Sequence, residues 1–301
     1  MRHQILAVGE VLWDLLPAGK QLGGAPANFT YQCLSMGADA RLVTRIGNDP
    51  LGHQVLNRFR VLDFPTETVQ VDREFPTGMV DVSLDPDGQP QYHIREHVAW
   101  DRIEPDAPAL ALAASADALC FGSLSQRGEP SRSAIRKLVA ASRAGALRLF
   151  DVNLRPPFVD RNVIADSLKV ANALKLNVHE LTELSAMFGL SGDVQESMTA
   201  LADRFDLELV ALTRGAHGGL LFAGGVWSDH PGLSVTVSDT IGAGDAFTAA
   251  LVVGRLAGRS LDEINRHAND VAAFVCSRPG GTPALPASLK LSSSTPPEPC
   301  P

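Results

Sequence analysis

Cysteine is scarce in this chain, and Cys33, Cys120, Cys276 and Cys300 are too scattered to form a C-x-x-C pair. That spacing argues against a zinc site or a disulfide framework and suits a reducing compartment. Basic charge is not in excess either: 26 Lys and Arg stand against 34 Asp and Glu, a formal charge of -8. No broad surface for nucleic acid or anionic lipid is expected, so an anionic ligand must be held by local donors. The N-terminal stretch "MRHQILAVGEVLWDLLPAGK" places Glu10 and Asp14 among apolar residues and lacks a small-residue cleavage site. It predicts neither a signal peptide nor a membrane span, and a cytoplasmic protein is expected. Common signatures are missing too: G-x-x-x-x-G-K-[ST], G-x-G-x-x-G after the first strand, H-E-x-x-H, G-x-S-x-G and the protein-kinase set. Their absence weighs against P-loop kinases, Rossmann dehydrogenases, zincins, α/β-hydrolases and protein kinases.

What is present is apolar material in a regular order. With 301 residues, 45% of them hydrophobic, the chain can bury a large core as one domain. Short apolar runs ("QILAVG", "ARLVTRIG", "DALCFG", "LRLFDVN", "ALKLNV", "LVALTRG") read as strands. Between them, "APANFTYQCLSMG", "EPSRSAIRKLVAASRAG", "VIADSLKVAN" and "VQESMTALADRF" read as amphipathic helices. This alternation predicts an α/β layered fold with a mostly parallel sheet, whose ligands sit beyond the carboxyl ends of the strands. From Thr66 to Val98, period-two runs separated by "FPTG" and "PDGQP" predict antiparallel strands instead. Joined by residues 10–24, they would form a small projecting sheet, a flap over a cleft or a dimer interface. Residues 291–301, a Ser/Pro tail, are expected to be disordered.

One stretch carries chemistry. In "DTIGAGDAFTAALV", the residues after Asp245 are apolar or small on every side, which predicts a buried helix starting at Gly242-Ala243-Gly244. A helix start offers unpaired N–H groups and the positive dipole end, and glycines let an anion approach. A phosphate cradle is expected there, with Asp245 in the first turn able to take a proton from an attacking hydroxyl. Asp239, before the turn, would organise the loop or help place a cation. Taken alone, G-A-G is a common turn and a first-turn Asp is commonly a dipole partner.

The whole string D-T-x-G-A-G-D before an apolar helix is more specific, and it resembles the signature of the ribokinase-like (PfkB-type) carbohydrate and nucleoside kinases. Further matches follow in order: "GGAPAN", "RIGNDPLGHQVL", "DVNLR", "NVHE", "TRGAHGGLLF" and "GGTPALP" are similar to the family's diglycine, R-x-G-x-D-x-x-G, D-x-N-x-R, N-x-x-E, T-x-G-x-x-G and closing segments. The "IGND" turn departs from relatives by carrying Asn48 where an acidic residue is frequent.

The resemblance implies a three-layer αβα ribokinase-like fold, with a mostly parallel central sheet and a small β-sheet lid. Residues 1–290 would be the kinase domain, with 10–24 and 66–98 forming the lid. It implies Asp245 as general base and Gly242, Ala243 and Gly244 as anion hole. Asp14, Gly23, Gly24, Asn28, Arg95 and Arg155 would meet the sugar; Asn177, Thr213, Arg214, Gly215, Gly218 and Asn269 would meet ATP. Glu180 would hold Mg²⁺ through water, which suits an ion that keeps most of its hydration shell. Asn177 and Glu180 also have capping-box spacing, a purely structural use. K⁺ is implied at the carbonyls of Asp239, Ile241, Val275, Arg278, Gly280 and Ala284.

The segments "GEVLWDLLP", "YHIREHVAWD", "FGSLSQR" and "FDVNLRPPF" look most like the fructokinase branch, which implies fructose and ATP giving fructose 6-phosphate and ADP. The alternatives are a 2-keto-3-deoxygluconate kinase, with Arg95 pairing the substrate carboxylate, and a ribokinase. An aromatic content of 6% offers nucleosides few stacking partners. A non-catalytic sugar or nucleotide sensor is the reading from another class. A homodimer through the lid is expected; nucleic acid and membrane are not.

Overall fold

The computed structural model describes residues 2–16, 19–84 and 90–290. The predicted tail at 291–301 and residues 85–89, which include most of the "PDGQP" turn, lie outside them. The first half contains β1 (Gln4–Val8), β2 (Leu12–Leu16), β3 (Gly19–Gly23), α1 (Ala25–Ser35), β4 (Asp39–Gly47), α2 (Pro50–Val61), β5 (Val69–Asp72), β6 (Gly78–Leu84), β7 (Pro90–Ile94), α3 (Ala107–Ser115), β8 (Ala118–Gly122) and α4 (Glu129–Ala141). The second half continues with β9 (Leu147–Asp151), α5 (Arg161–Val170), β10 (Ala173–Asn177), α6 (Val178–Phe188), α7 (Val194–Phe205), β11 (Leu209–Thr213), β12 (Gly219–Ala223), β13 (Val226–His230), α8 (Ala243–Leu256) and α9 (Leu261–Cys276).

Among the described residues the main sheet has nine strands in the order β13-β12-β11-β10-β9-β8-β1-β4-β5. It is parallel from β11 through β5 and antiparallel only at β11-β12-β13. The strands are continuously apolar because successive side chains enter opposite cores. Leu149, Ala173 and Ala211 belong to a cluster with α1, α2, α8 and α9. Phe150, Leu174 and Val210 belong to the other cluster, with α3 to α7. These are the three layers that the resemblance implies.

A second sheet has the order β3-β2-β6-β7. The expectation of antiparallel strands over 66–98 needs correction. β5 pairs parallel with β4 in the main sheet, and β6 pairs parallel with β2; only β2-β3 and β6-β7 are antiparallel. Period-two hydrophobicity marks a half-buried strand and leaves its partner and direction open.

Helix α8 has the predicted character: every residue from Ala246 to Gly254 is buried. Its N-cap, Gly242, has φ 77° and gives no side-chain cap; in the first turn Ala243 N donates to the Thr240 carbonyl at 3.4 Å. Burial of Phe247, Leu251 and Val252 contributes about 1.5–3 kcal/mol each and fixes where that N-terminus lies.

Candidate active site

The parallel strands end together, and their carboxyl ends open into a cleft of about 670 Å³. Glu10 follows β1, Asn153 and Arg155 follow β9, Asn177 ends β10 and Thr213 ends β11. The N-terminal turn of α8 supplies Gly242, Gly244 and Asp245, while Asp14 and Gly23 enter from the second sheet. Val80 and Ile94 of that sheet also line the cleft, so the small sheet forms one of its walls.

Asp245 is half-buried and accepts a hydrogen bond from Asn28 Nδ2 at 2.9 Å. Burial, and next the charge of Asp151, raise its carboxyl to about 6, against the pull of Asn28, Lys175 and Arg155. Asp14 is likewise pushed up to about 6, mainly by burial. Burial also raises Glu10, whose carboxylate takes the Ser125 hydroxyl. Three carboxyl groups therefore line this cleft in surroundings that favour their protonated forms more than water does.

Two glycines let backbone segments pack closely beside the cleft. Gly24, the N-cap of α1, has φ 107°, and an added Cβ would lie 2.5 Å from the Glu10 carbonyl. At Gly242 an added Cβ would lie 2.5 Å from Gly281 Cα. Gly281 belongs to the "GGTPALP" segment, whose carbonyl accepts from Gln32 Nε2 at 3.2 Å. The diglycine helix, the closing segment and the α8 turn thus meet at one place, as the ordered motifs imply.

At the other end, Asn177 caps α6: its Oδ1 accepts from Glu180 N at 2.9 Å. Glu180 is buried, and its two oxygens accept from Asn177 N (2.8 Å) and Leu154 N (3.0 Å). The capping box is therefore real. Among the described residues no group of three or more His, Cys, Asp or Glu side chains is placed to hold a metal ion. A directly coordinated Mg²⁺ does not fit this donor set, whereas an ion held by phosphate oxygens and water does. For K⁺, the Asp239 carboxylate accepts from Ile241 N and Gly280 N, both at 3.0 Å, fastening together the two segments that carry the six carbonyl positions. Carbonyl oxygens beside one carboxylate suit a monovalent cation.

Several expected site residues do not line this cleft. Arg95 is absent from the cleft wall; its guanidinium forms a bidentate pair with Asp81, both contacts 2.8 Å. Arg214, Gly215, Gly218 and Asn269 do not line the cleft either. Arg214 pairs with Asp229 and donates to the His230 carbonyl, while Asn269 is buried and donates to the Asn265 carbonyl at 2.8 Å. Asn269 Nδ2 also donates to Asn265 Oδ1 at 2.9 Å, while Asn265 Nδ2 donates to the Gly219 and Ser228 carbonyls, both at 3.0 Å.

Sequence reasoning missed Lys175. Its Nζ lies 3.1 Å from Asp151 Oδ1, and both residues are buried. Burial lowers the ammonium, but Asp151, Glu180 and Asp245 more than offset this and hold it above its ordinary value. Asp151 Oδ2 accepts from Thr248 Oγ1 at 2.8 Å. The readable signal was a lysine inside the apolar run "ALKLNV", a position that requires a buried partner.

Residues 17–288 match the family described as pfkB family carbohydrate kinase. A fructokinase of Klebsiella pneumoniae is 30% identical, over 95% of this chain and 97% of its own. Fructokinase-2 of Zea mays is 29% identical, over 94% and 91%. A solved structure of an uncharacterized sugar kinase from Pyrococcus horikoshii in complex with ATP has 28% identity and a TM-score of 0.80, covering 92% of this chain and 94% of that one.

Proposed function

The chain belongs to the pfkB family of carbohydrate kinases and is a sugar phosphotransferase; from that premise we propose that it transfers the γ-phosphate of ATP to a hydroxyl of an uncharged sugar, fructose giving fructose 6-phosphate. The observation that carries this reading is the Asp245 carboxylate, held by Asn28 at 2.9 Å beside the uncapped N-terminus of α8. A hydroxyl placed there loses its proton to Asp245 as it attacks the γ-phosphorus, and the amides from Gly242 to Gly244 receive the phosphoryl oxygens. Asp14, Asn28 and Asn153 offer the short polar groups that orient a polyol. Glu180 would hold Mg²⁺ through water, and the carbonyls around Asp239 would hold K⁺; both ions would supply charge neutralisation.

Fructose is supported by the two fructokinase relatives and by the charge of the cleft, where four carboxylates (Glu10, Asp14, Glu180, Asp245) face two cations (Arg155, Lys175). The Arg95–Asp81 pair weakens the case for a sugar acid. Arg155, exposed at the cleft, keeps 2-keto-3-deoxygluconate as the second reading. The small sheet is assigned as a lid, and its outer strands β3 and β7 as edges available to a second copy of this chain. A coupled assay of ADP release with fructose, 2-keto-3-deoxygluconate, ribose and adenosine tests the reading. The highest kcat/KM is expected for fructose; silence with every acceptor would favour a sensor.

A further inference from the structure

Lys175 and Asp151 face each other in register on the adjacent strands β10 and β9. Both fall on the face of the sheet that carries Leu147, Leu149 and Ala173 into the core beneath α8. Charges in such a layer cost several kcal/mol each in desolvation, and a well-packed apolar pair there is commonly as stable or more so. Stability alone therefore does not account for them.

The geometry around the ammonium supplies a reason. Its acceptor among the described residues is Asp151 Oδ1, while an ammonium has three N–H groups. Asp151 is itself anchored by Thr248, which lies one helical turn beyond Gly244 and Asp245. A Cβ added to Gly244 would stand 3.2 Å from Lys175 Nζ, and Lys175 lines the cleft between Asn177 and the α8 turn. The ammonium, paired with Asp151, therefore stands beside a helix N-terminus that by itself offers about half a charge.

We propose that Lys175 is a catalytic residue whose ammonium contacts the oxygens of the migrating phosphoryl group, with Asp151 and Thr248 as its positioning residues. The proposal rests on the kinase reading above. As the bond from the sugar oxygen to the γ-phosphorus forms, the bond from that phosphorus to the β,γ-bridging oxygen breaks, and its electron pair leaves with ADP. The hydroxyl proton passes to Asp245. A buried ammonium already held by a carboxylate stabilises the charge on the phosphoryl oxygens without reorganising during the step.

Lys175→Met alone leaves Asp151 buried without its counter-ion and can unfold the chain. The informative variant is therefore Lys175→Met/Asp151→Asn, which removes both charges and keeps an acceptor for Thr248. If the pair were only structural, the double variant would recover both melting temperature and turnover. The proposal predicts recovery of melting temperature while kcat stays about 10²- to 10³-fold below wild type. A second arm does not depend on the acceptor sugar: calorimetry of ADP with orthovanadate, a mimic of the transferred group. ADP affinity is expected to stay within about twofold, while vanadate affinity in the presence of ADP falls about tenfold, the loss of one charge-assisted hydrogen bond. Turnover near that of wild type, or equal vanadate affinity in the two proteins, would overturn the proposal. If no acceptor is phosphorylated by wild type, the kinase reading fails and the vanadate arm still decides the role of Lys175.

Discussion

Asn28 and Asp245, 217 residues apart, are joined by one hydrogen bond of 2.9 Å. Each lies near the N-terminus of a helix that starts at a positive-φ glycine, Gly24 or Gly242. Asn28 thereby fixes the direction of the carboxylate through a side-chain contact, without drawing on a backbone amide of the α8 turn.

The pH dependence follows from this contact. Asp245, at about 6, must be ionised to accept the proton, so kcat is expected to fall about tenfold per unit below pH 6. The Asn28 hydrogen bond favours the ionised form, so Asn28→Ala should move this acid limb upward; a pH–rate profile of both proteins checks it. An unmoved limb would separate the contact from the base.

The same shift has a sign for stability. A carboxyl whose folded value, about 6, exceeds its ordinary 3.8 stabilises the fold fully only below the unfolded value, and that contribution is lost as pH rises through about 6. At neutral pH Asp245→Asn, which keeps an acceptor for Asn28, is expected to melt higher than wild type. At pH 4 the difference should shrink, and scanning calorimetry at the two pH values measures it.

Much of the fold was legible. The strands and helices quoted from the apolar pattern appear at their places, and the α8 start follows from G-A-G before a run that is apolar all round. Strand partners were not legible, because period two describes a face and not a neighbour; hence β5 went to the main sheet. The same limit hid the Lys175–Asp151–Thr248 chain, whose members lie 24 and 97 residues apart and meet only through the β9-β10 pairing and the α8 crossing. The Arg95–Asp81 pair was hidden for a related reason: Arg95 follows β7 and Asp81 lies on β6, so the two meet only through the β6-β7 pairing.

Gly242→Ala is expected to lose about 1–3 kcal/mol of stability and most of its activity, because a Cβ at φ 77° would press on Gly281 and displace the α8 turn. Gly225 provides the control. Its φ is 82° with open space around it, so Gly225→Ala should show the strain cost with normal turnover. Equal activities for the two variants would remove the α8 turn from the chemistry.

Glu180→Gln exchanges one carboxylate oxygen for an NH₂ group facing a backbone N–H, at a cost of about 1–3 kcal/mol. The loss should appear as a lower melting temperature whether or not Mg²⁺ is present. If Glu180 also holds the water shell of Mg²⁺, the Mg²⁺ concentration for half-maximal activity rises as well; an unchanged requirement would leave only the cap.

The central claim, that Asp245 is the base of a phosphoryl transfer, is tested most directly by single-turnover transfer from ATP to fructose in Asp245→Asn, with ATP affinity measured in parallel. The account predicts unchanged ATP binding and transfer slowed by about 10²- to 10⁴-fold. Transfer at a near wild-type rate in that variant would contradict it.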